Sequence, residues 1–281
     1  MKKKTPASKY PDHLVYRLYE AAVQSAEVHA RWFDEVYGEI NGTTPNLLRE
    51  DFCGTFQISR EWVKLRPKNF AMGLDLDPKV LEAGQAFAKE SLRAEEFQRL
   101  LLLKKNVVSE TRPKSDIVIA CNYSFFIIQD RKKLIQYFKK VRKSLARRGL
   151  FFLEMAGGPG MQEQVRETKV IKGIPLGTGR GTKKASAIYF WDQKSFDPIT
   201  RNGKYAIDFR LSDGKWYRNA FTYDWRLWTI PELKDALTEA GFSKVRVYWE
   251  TAHRGVGTGE YLETQSGDNA WSWIAYLAAS C

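Results

Sequence analysis

Short apolar runs alternate with amphipathic stretches through the middle of the chain. The apolar runs occupy residues 47–48, 70–76, 100–103, 117–121, 150–155, 245–249 and 273–278. Helical spacing of apolar positions recurs at residues 58–65, 78–92, 129–145 and 231–240. Strands that alternate with helices are typical of a parallel sheet covered on both faces. The pattern therefore predicts an α/β fold with a doubly wound, seven-stranded, mostly parallel sheet.

Apolar positions near the start of the chain lie on one helical face. They are Val15, Leu18, Ala22, Ala26, His29, Phe33 and Val36. The spacing predicts one or two amphipathic helices that pack on the following sheet, so residues 1–45 are predicted to form an N-terminal helical cap. Because His29 belongs to this stripe, a core histidine with satisfied hydrogen bonds is favoured over a catalytic one.

The rhythm changes after residue 155. Three strand-like runs with period-two alternation follow, at residues 187–191, 205–211 and 217–227. The dipeptides Asn202-Gly203 and Asp213-Gly214 separate them and are typical of tight turns. The pattern predicts an antiparallel insert over residues 157–227, between the two parts of an α/β domain at 46–156 and 228–281.

Two glycine-rich stretches do not fit the alternation of strands and helices. Residues 169–184 are also basic, and Gly255, Gly257 and Gly259 lie between two late apolar runs. Neither stretch has the order of a phosphate-binding loop. Both are interpreted as loops.

Charge is plentiful but much of it lies on a helix. The 281-residue chain has 45 lysines and arginines against 33 acidic residues, a formal net charge of +12, which favours anionic partners such as RNA or nucleotides. Many of these cations lie between residues 131 and 148, around an apolar stripe formed by Leu134, Phe138, Val141 and Leu145. A solvated helix face is therefore favoured over a nucleic-acid patch, although RNA stays open as a partner.

The cysteines and the length of the apolar runs indicate the cellular compartment. Cys53, Cys121 and Cys281 are far apart and lack histidines at zinc-binding spacing, so no disulfide framework and no metal site are predicted. No uncharged apolar run approaches the roughly 18 to 20 residues needed to span a bilayer. We expect a cytoplasmic protein without a membrane-spanning segment.

The first two strands end in residues suited to a nucleoside. Glu50 closes the first run, Gly54 follows it, and Asp75 at the end of the second lies 21 positions after Gly54. Doubly wound folds bind ligands at the carboxyl ends of their strands and place an acid there for ribose hydroxyls. Residues 52–57 correspond to the G-x-G-x-x-G of a dinucleotide-binding loop but contain one glycine, and Phe52 and Phe56 among them disfavour a pyrophosphate. A nucleoside without phosphates is the better fit.

Five segments, in order, resemble class I S-adenosylmethionine-dependent methyltransferases, whose fold is Rossmann-like. They are residues 50–56, where the acid and the central glycine match the first motif, AMGLDLDPKVLEAG, SDIVIACNYSFF, LIQYFKKVRKSLARRGLFFLEMAGG and ELKDALTEAGFSKVRVYW. The resemblance covers residues 45–155 and 228–279. It implies S-adenosyl-L-methionine as the cofactor of the α/β domain.

The resemblance also implies roles for single residues. Asp75 is expected to bind the ribose hydroxyls and Leu76 to pack on the adenine, with Asn106 and Val107 beside it. Glu50, Cys53 and Gly54 are expected at the amino-acid end of the cofactor. Asn122 and Tyr123 inherit the place beside the transferable methyl group, so Tyr123 is the candidate catalytic base.

The acceptor pocket is expected between the helical cap and the insert. Its predicted lining residues are Tyr19, Arg31, Tyr189, Trp191 and Arg210. Glu154 and Asp208 are alternative bases, but ordinary ion pairs are the favoured interpretation for both.

Three functions stay open at this point. Methyl transfer to a small-molecule acceptor is favoured, because the insert is aromatic and no nucleic-acid-binding module is added. An RNA or protein methyltransferase and a non-catalytic protein with the same fold are the alternatives.

Overall fold

The computed structural model describes residues 13–23, 25–175, 182, 184–253 and 255–281. Within this range seven α-helices form: α1 (Leu14–Val23), α2 (Ala26–Asn41), α3 (Gln57–Leu65), α4 (Pro78–Ser91), α5 (Ala94–Phe97), α6 (Arg131–Ser144) and α7 (Ile230–Glu239). The strands in the same range are β1 (Leu47–Asp51), β2 (Phe70–Asp75), β3 (Leu100–Lys104), β4 (Ser115–Ala120), β5 (Leu145–Gly157), β6 (Arg166–Pro175), β7 (Lys184–Phe196), β8 (Asn202–Leu211), β9 (Trp216–Arg226), β10 (Lys244–His253), β11 (Val256–Glu263) and β12 (Trp273–Ser280). Two short 3-10 helices follow β4 and β5, at Ser124–Ile127 and Pro159–Gln162.

The central sheet has the order β11-β10-β12-β5-β4-β1-β2-β3. The five strands β1 to β5 run parallel, and β12 is inserted antiparallel between β5 and β10. Strand order reverses between β1 and β4, so the ends of these strands form the switch point at which such folds bind ligands. The predicted α/β class is confirmed.

The central sheet has eight strands and not the predicted seven. The additional strand, β11, contains the glycines at 257 and 259 that were interpreted as a loop, and it pairs antiparallel with β10. A Cβ at Gly257 would collide with the carboxylate of Glu250 on β10. The glycine therefore permits a close strand contact, which its sequence context does not distinguish from a flexible connection.

Helices cover both faces of the central sheet. On one face α6 and α7 bury Tyr137, Phe138 and Leu233 in the larger core cluster. On the other, α2 and α3 bury Phe33 and Trp62. The predicted stripe of α6 is buried, whereas its lysines and arginines are mostly exposed.

The N-terminal helices pack against different sheets. Leu14 and Leu18 of α1 lie in a cluster with Phe209 of β8, whereas Phe33 and Val36 of α2 pack on the central sheet. One continuous apolar stripe in the sequence thus serves two cores, because the chain turns between the helices.

The antiparallel insert has the order β6-β7-β8-β9. The residues predicted to share one face of β8, Tyr205, Ile207, Phe209 and Leu211, are all buried, but the intervening Ala206 and Asp208 are buried too, so burial does not alternate along the middle of this strand. A fourth strand, β6, begins the insert where residues 169–184 were interpreted as a loop; residues 176–181 and 183 of that stretch lie outside the described ones. Its exposed, charged residues are typical of an edge strand. They interrupt the alternation of apolar and polar positions by which a strand is recognised in the sequence.

The described helices include none that is both long enough and apolar enough to span a membrane.

Candidate active site

Three adjoining cavities follow the carboxyl ends of the central strands. The tip cavity, about 430 Å³, lies between the ends of β1, β2 and β4. The rim cavity, about 730 Å³, shares Phe52 and Asp75 with it. The aromatic cavity, about 590 Å³, lies under the insert and shares Tyr19, Asn122 and Tyr223 with the tip cavity. The tip cavity therefore adjoins the rim cavity on one side and the aromatic cavity on the other.

The ends of β1 and β2 are joined by one carboxylate. Asp75 Oδ2 accepts a hydrogen bond from the Gly54 amide at 2.9 Å, and Oδ1 accepts one from the Asp77 amide at 3.0 Å. Each carboxylate oxygen can accept a second hydrogen bond. The pair predicted from spacing alone is thus in direct contact, and Asp75 borders both the tip and rim cavities.

The loop after β1 has left-handed backbone at two positions that carry phenylalanine instead of glycine. Phe52 and Phe56 have φ of 54° and 46°, beside Gly54 at 52°. Left-handed backbone costs a residue with a side chain about 1–2 kcal/mol. Both rings compensate by packing, since Phe56 is fully buried against α4 and Phe52 packs on Tyr137. The phenylalanines that disfavour a pyrophosphate therefore leave the loop shape intact.

A buried polar network lies beneath this loop and is not evident from the sequence motifs. Arg49 Nε donates to Asp51 Oδ1 at 2.7 Å, and a second guanidinium nitrogen donates to the Val107 carbonyl at 2.6 Å. Tyr137 Oη donates to Asp51 Oδ2 at 2.8 Å. The network fixes the end of β1 to the segment after β3. Its one sequence signal is a run of three charged residues, beginning with Arg49, directly after the apolar residues 47–48.

Glu50 is buried at the floor of the tip cavity. Its Oε2 accepts hydrogen bonds from the Ser59 amide at 2.8 Å and the Ser59 hydroxyl at 2.6 Å. Burial raises the pKa of Glu50 to about 7, although the Ser59 hydrogen bonds oppose the shift. The side chain can thus hold a charge when a cationic group lies beside it.

Exposed apolar side chains form part of the border of the rim cavity. Leu76, Ile127 and Val108 are 59%, 52% and 39% exposed, and all three line it. The predicted residues Asn106 and Val107 line it too, and Asn106 Oδ1 accepts the Val108 amide at 3.0 Å. Exposed apolar side chains around a cleft favour a flat, weakly polar group as its occupant.

The aromatic cavity contains acidic side chains among its rings. Glu154 Oε2 accepts a hydrogen bond from the Asn122 amide at 2.6 Å, and burial raises the pKa of Glu154 to about 7. Glu250 Oε1 accepts the Gly259 amide at 3.0 Å. The ion pair predicted for Glu154 is absent from the described residues, because the described lining of this cavity includes no lysine or arginine.

His29 also lines this cavity. It is 8% exposed, as predicted for a core residue, but its Nδ1 has no hydrogen-bond partner in the described structure. The prediction of a satisfied histidine is therefore wrong, since α2 places the ring beside Tyr276 and over empty space. Burial lowers the pKa of His29 to about 4, so the ring is neutral at pH 7.

The predicted acceptor residues divide into two groups. Tyr19, Tyr189 and Trp191 line the aromatic cavity. Arg31 lies instead on the exposed face of α2, with Glu27 at 3.0 Å, and Arg210 lies over the ring of Trp216 at 5.4 Å, with its side chain exposed. Neither arginine lines a described cavity, because each lies on the solvent side of its element.

Two candidate bases are less suited to the role in this structure. Asp208 forms an ion pair with Arg166 at 2.5 Å, as the favoured interpretation has it. Tyr123 lines the aromatic cavity beside Asn122, but burial raises its pKa well above the ordinary value. Its hydroxyl therefore stays protonated at neutral pH.

Three further residues that line the aromatic cavity belong to none of the sequence motifs. Tyr223 separates the tip and aromatic cavities, while Glu250 and Tyr261 come from β10 and β11. Only Tyr223 belongs to the alternating pattern of the insert. The other two require the pairing of β10 with β11, which the glycines conceal.

No protein-family model and no curated protein sequence matches the chain, but solved structures do. An amino pentose methyltransferase from Micromonospora echinaspora with bound S-adenosylmethionine is 14% identical, with TM-score 0.66 over 97% of this chain and 98% of that one. A sugar N-methyltransferase from a Streptoalloteichus species is 15% identical, with TM-score 0.63 over 100% and 96%. An S-adenosylmethionine-dependent methyltransferase from Clostridium acetobutylicum is 16% identical, with TM-score 0.64 over 95% and 96%. The chain therefore has the fold of S-adenosylmethionine-dependent methyltransferases over nearly its whole length.

Proposed function

We propose that the protein is an S-adenosylmethionine-dependent methyltransferase acting on a small-molecule acceptor. The observation that supports this most strongly is the contact between Gly54 and Asp75 at the wall shared by the tip and rim cavities. It provides a carboxylate for ribose hydroxyls at the switch point of the sheet. The solved structures with this fold act on an amino pentose, a sugar or a glycopeptide, which favours a small acceptor here as well.

The residues present fit the cofactor in three places. The apolar border of the rim cavity, with Leu76 and Val107, suits an adenine, and Asp75 suits the ribose. Glu50 lies in the tip cavity, where its carboxylate suits the cofactor's ammonium. Bound S-adenosylmethionine would supply a methyl group on a positively charged sulfur, already activated for displacement.

The chain's own contribution would be alignment and exclusion of water. Tyr19, Asn122 and Tyr223 separate the tip and aromatic cavities, so they would border the reacting atoms. Holding two reactants in line supplies much of the catalysis in a displacement that needs no further activation. Tyr19 belongs to α1, which is fixed to the α/β part by Glu20 through Thr55 and Arg60. The helix would thereby cover the methyl donor.

The two alternative functions find less support. An RNA acceptor would meet three acidic side chains in the aromatic cavity, Glu154, Glu167 and Glu250, which disfavour a phosphate backbone. No observation in the described part of the chain favours a protein acceptor. A non-catalytic protein would explain the missing glycines, but the loop keeps its left-handed backbone without them.

Calorimetric titration with S-adenosylmethionine and S-adenosylhomocysteine tests the proposal. We expect both to bind one site per chain, with NADH as the negative control. Absence of heat and of any thermal shift with millimolar S-adenosylmethionine and S-adenosylhomocysteine would contradict the proposal.

A further inference from the structure

The aromatic cavity has an acidic lining in a strongly basic protein. Glu154, Glu167 and Glu250 line it, and among the residues described there it has no lysine or arginine. The chain as a whole has a formal net charge of +12. Carboxylates that line the same cavity set its local potential more strongly than surface cations farther away, whose effect salt screens. The cavity therefore selects a cation and repels a carboxylate or phosphate.

Aromatic faces surround the same space. Tyr123, Trp191, Tyr223 and Trp225 contribute, with ring centroids of Trp191 and Trp225 5.9 Å apart and those of Tyr223 and Trp225 4.4 Å apart. Such faces attract an organic cation while packing against its carbon skeleton. Rings and carboxylates together favour an organic cation over a bare metal ion.

His29 supplies an independent observation. Its side chain is more than nine-tenths buried, lines the cavity and leaves Nδ1 without a partner in the described structure. A buried polar atom without a hydrogen bond is costly. Because this nitrogen is itself buried below the cavity surface and the ring is neutral at pH 7, His29 contributes an uncharged wall that adds no cation to compete with a ligand for the carboxylates.

We propose that the aromatic cavity binds a protonated primary or secondary amine, and that this amine is the methyl acceptor. The inference rests on the proposed function. Of the three carboxylates, Glu154 is the one connected to the donor side, because it is hydrogen-bonded to the Asn122 amide and Asn122 borders the tip cavity. An ammonium nitrogen has no free electron pair. One N–H bond must break and a Glu154 O–H bond form, which leaves the pair on nitrogen for the methyl group.

The surroundings of Glu154 suit this proton transfer. The titratable groups that influence it or face it are Tyr19, Cys121, Tyr123, Glu250, Tyr261 and Tyr276. Burial raises the pKa of each, so the thiol and the phenols are neutral near pH 7. Glu154 itself has a pKa of about 7, which is suited to a group that takes up and releases a proton at neutral pH.

Three probes with one skeleton separate the acceptor classes. Cyclohexylamine, cyclohexanol and cyclohexanecarboxylate are titrated calorimetrically into the full chain, with and without S-adenosylhomocysteine. We expect the amine to bind at least about tenfold more tightly than the alcohol, as a desolvated cation among rings should, and the carboxylate to bind worst. Glu154→Gln and Glu250→Gln should each reduce the preference for the amine. Glu260→Gln, an exposed acid of β11 outside the cavity lining, should leave it unchanged.

The outcomes distinguish the two proposals. Equal or weaker binding of the amine, or no binding of any probe by a protein that binds S-adenosylhomocysteine, overturns the amine inference alone. A preference for the amine that survives in both Glu154→Gln and Glu250→Gln overturns it too. Failure of S-adenosylhomocysteine to bind overturns the proposed function, and the titrations without it then still test the cation site.

Discussion

At the residue scale, the loop after β1 depends on side chains that compensate for an unfavourable backbone. Phe52 adopts φ 54° and lies at the wall between the tip and rim cavities. A glycine there would adopt the same backbone without strain. The phenylalanine therefore trades backbone strain for packing on Tyr137.

This strain can be measured by comparing two truncations at one site. Phe52→Gly should have a free energy of unfolding about 1 kcal/mol higher than Phe52→Ala in urea titrations, because only alanine keeps the left-handed strain. Lys139, exposed in α6, is the control, where alanine should be the more stable of the two. The same order at both sites would show that position 52 is unstrained.

The carboxylate of Asp75 should contribute most to cofactor affinity. Asp75→Asn should weaken S-adenosylhomocysteine binding by about 1.5–3 kcal/mol, as for a lost charge-assisted hydrogen bond, measured calorimetrically. Asp116→Asn is a matched control, since Asp116 also accepts two backbone amides, from Asn46 at 2.8 Å and Leu47 at 3.0 Å, but before β1 rather than after it. An equal loss in both variants would contradict a direct role for Asp75.

Glu50 should make stability depend on pH. Burial raises its pKa from 4.5 to about 7, so its contribution is fully present below pH 4.5 and is lost as pH rises through 7. Glu50→Gln should therefore raise the melting temperature of the ligand-free protein relative to wild type at pH 8, and much less at pH 5. The difference is on the order of 3 kcal/mol at most. A variant less stable than wild type at pH 8 would contradict the raised pKa.

At the element scale, the candidate site depends on how closely α4 approaches the loop after β1. Gly84 of α4 lies against this loop, and a Cβ there would collide with the Phe56 ring and come within 2.8 Å of Thr55 Cα. The helix thus supports the loop from below by direct contact with its backbone.

Two glycine substitutions in helices should have opposite effects. Gly84→Ala should destabilise the protein by about 1–3 kcal/mol through overpacking and weaken S-adenosylhomocysteine binding, because the loop must shift. Gly38→Ala in α2, where a Cβ would meet nothing within 4 Å, should stabilise it by about 0.5–1 kcal/mol. Urea titration and calorimetry measure the two effects. Stabilisation by Gly84→Ala would contradict the packing described for α4.

At the scale of the whole molecule, opposite charges occupy different places. Exposed cations line the solvent side of α6, whereas carboxylates line the aromatic cavity. The net charge therefore describes the surface and not the site. Anion attraction by the surface and cation selection by the cavity are compatible.

Binding of RNA should consequently be a surface effect. A single-stranded oligonucleotide should bind weakly, with affinity falling steeply as salt is raised, in a filter-binding assay. Charge reversal of Lys132, Lys139 and Arg147, all exposed, should reduce this binding without changing the affinity for S-adenosylhomocysteine. Salt-resistant, sequence-specific binding would instead favour an RNA acceptor.

The sequence by itself determined the alternation of strands and helices and the spacing that relates Gly54 to Asp75, whereas the position of the switch point required the strand order. The first two follow from periodicity and from spacing along neighbouring strands, which are local properties of the chain. The burial of Tyr205, Ile207, Phe209 and Leu211 in β8 could also be predicted, because one face of a strand must meet a core, whereas the burial of Ala206 and Asp208 between them could not.

Only the tertiary structure decided what surrounds the ligand. The left-handed loop at Phe52, the strand formed by Gly257 and its neighbours, the approach of Glu154 to Asn122 and the empty space beside His29 all depend on contacts between residues far apart in sequence. A single side chain does not encode its burial or its neighbour's charge. Packing sets both, and with them the pKa values and cavities on which the proposed chemistry depends.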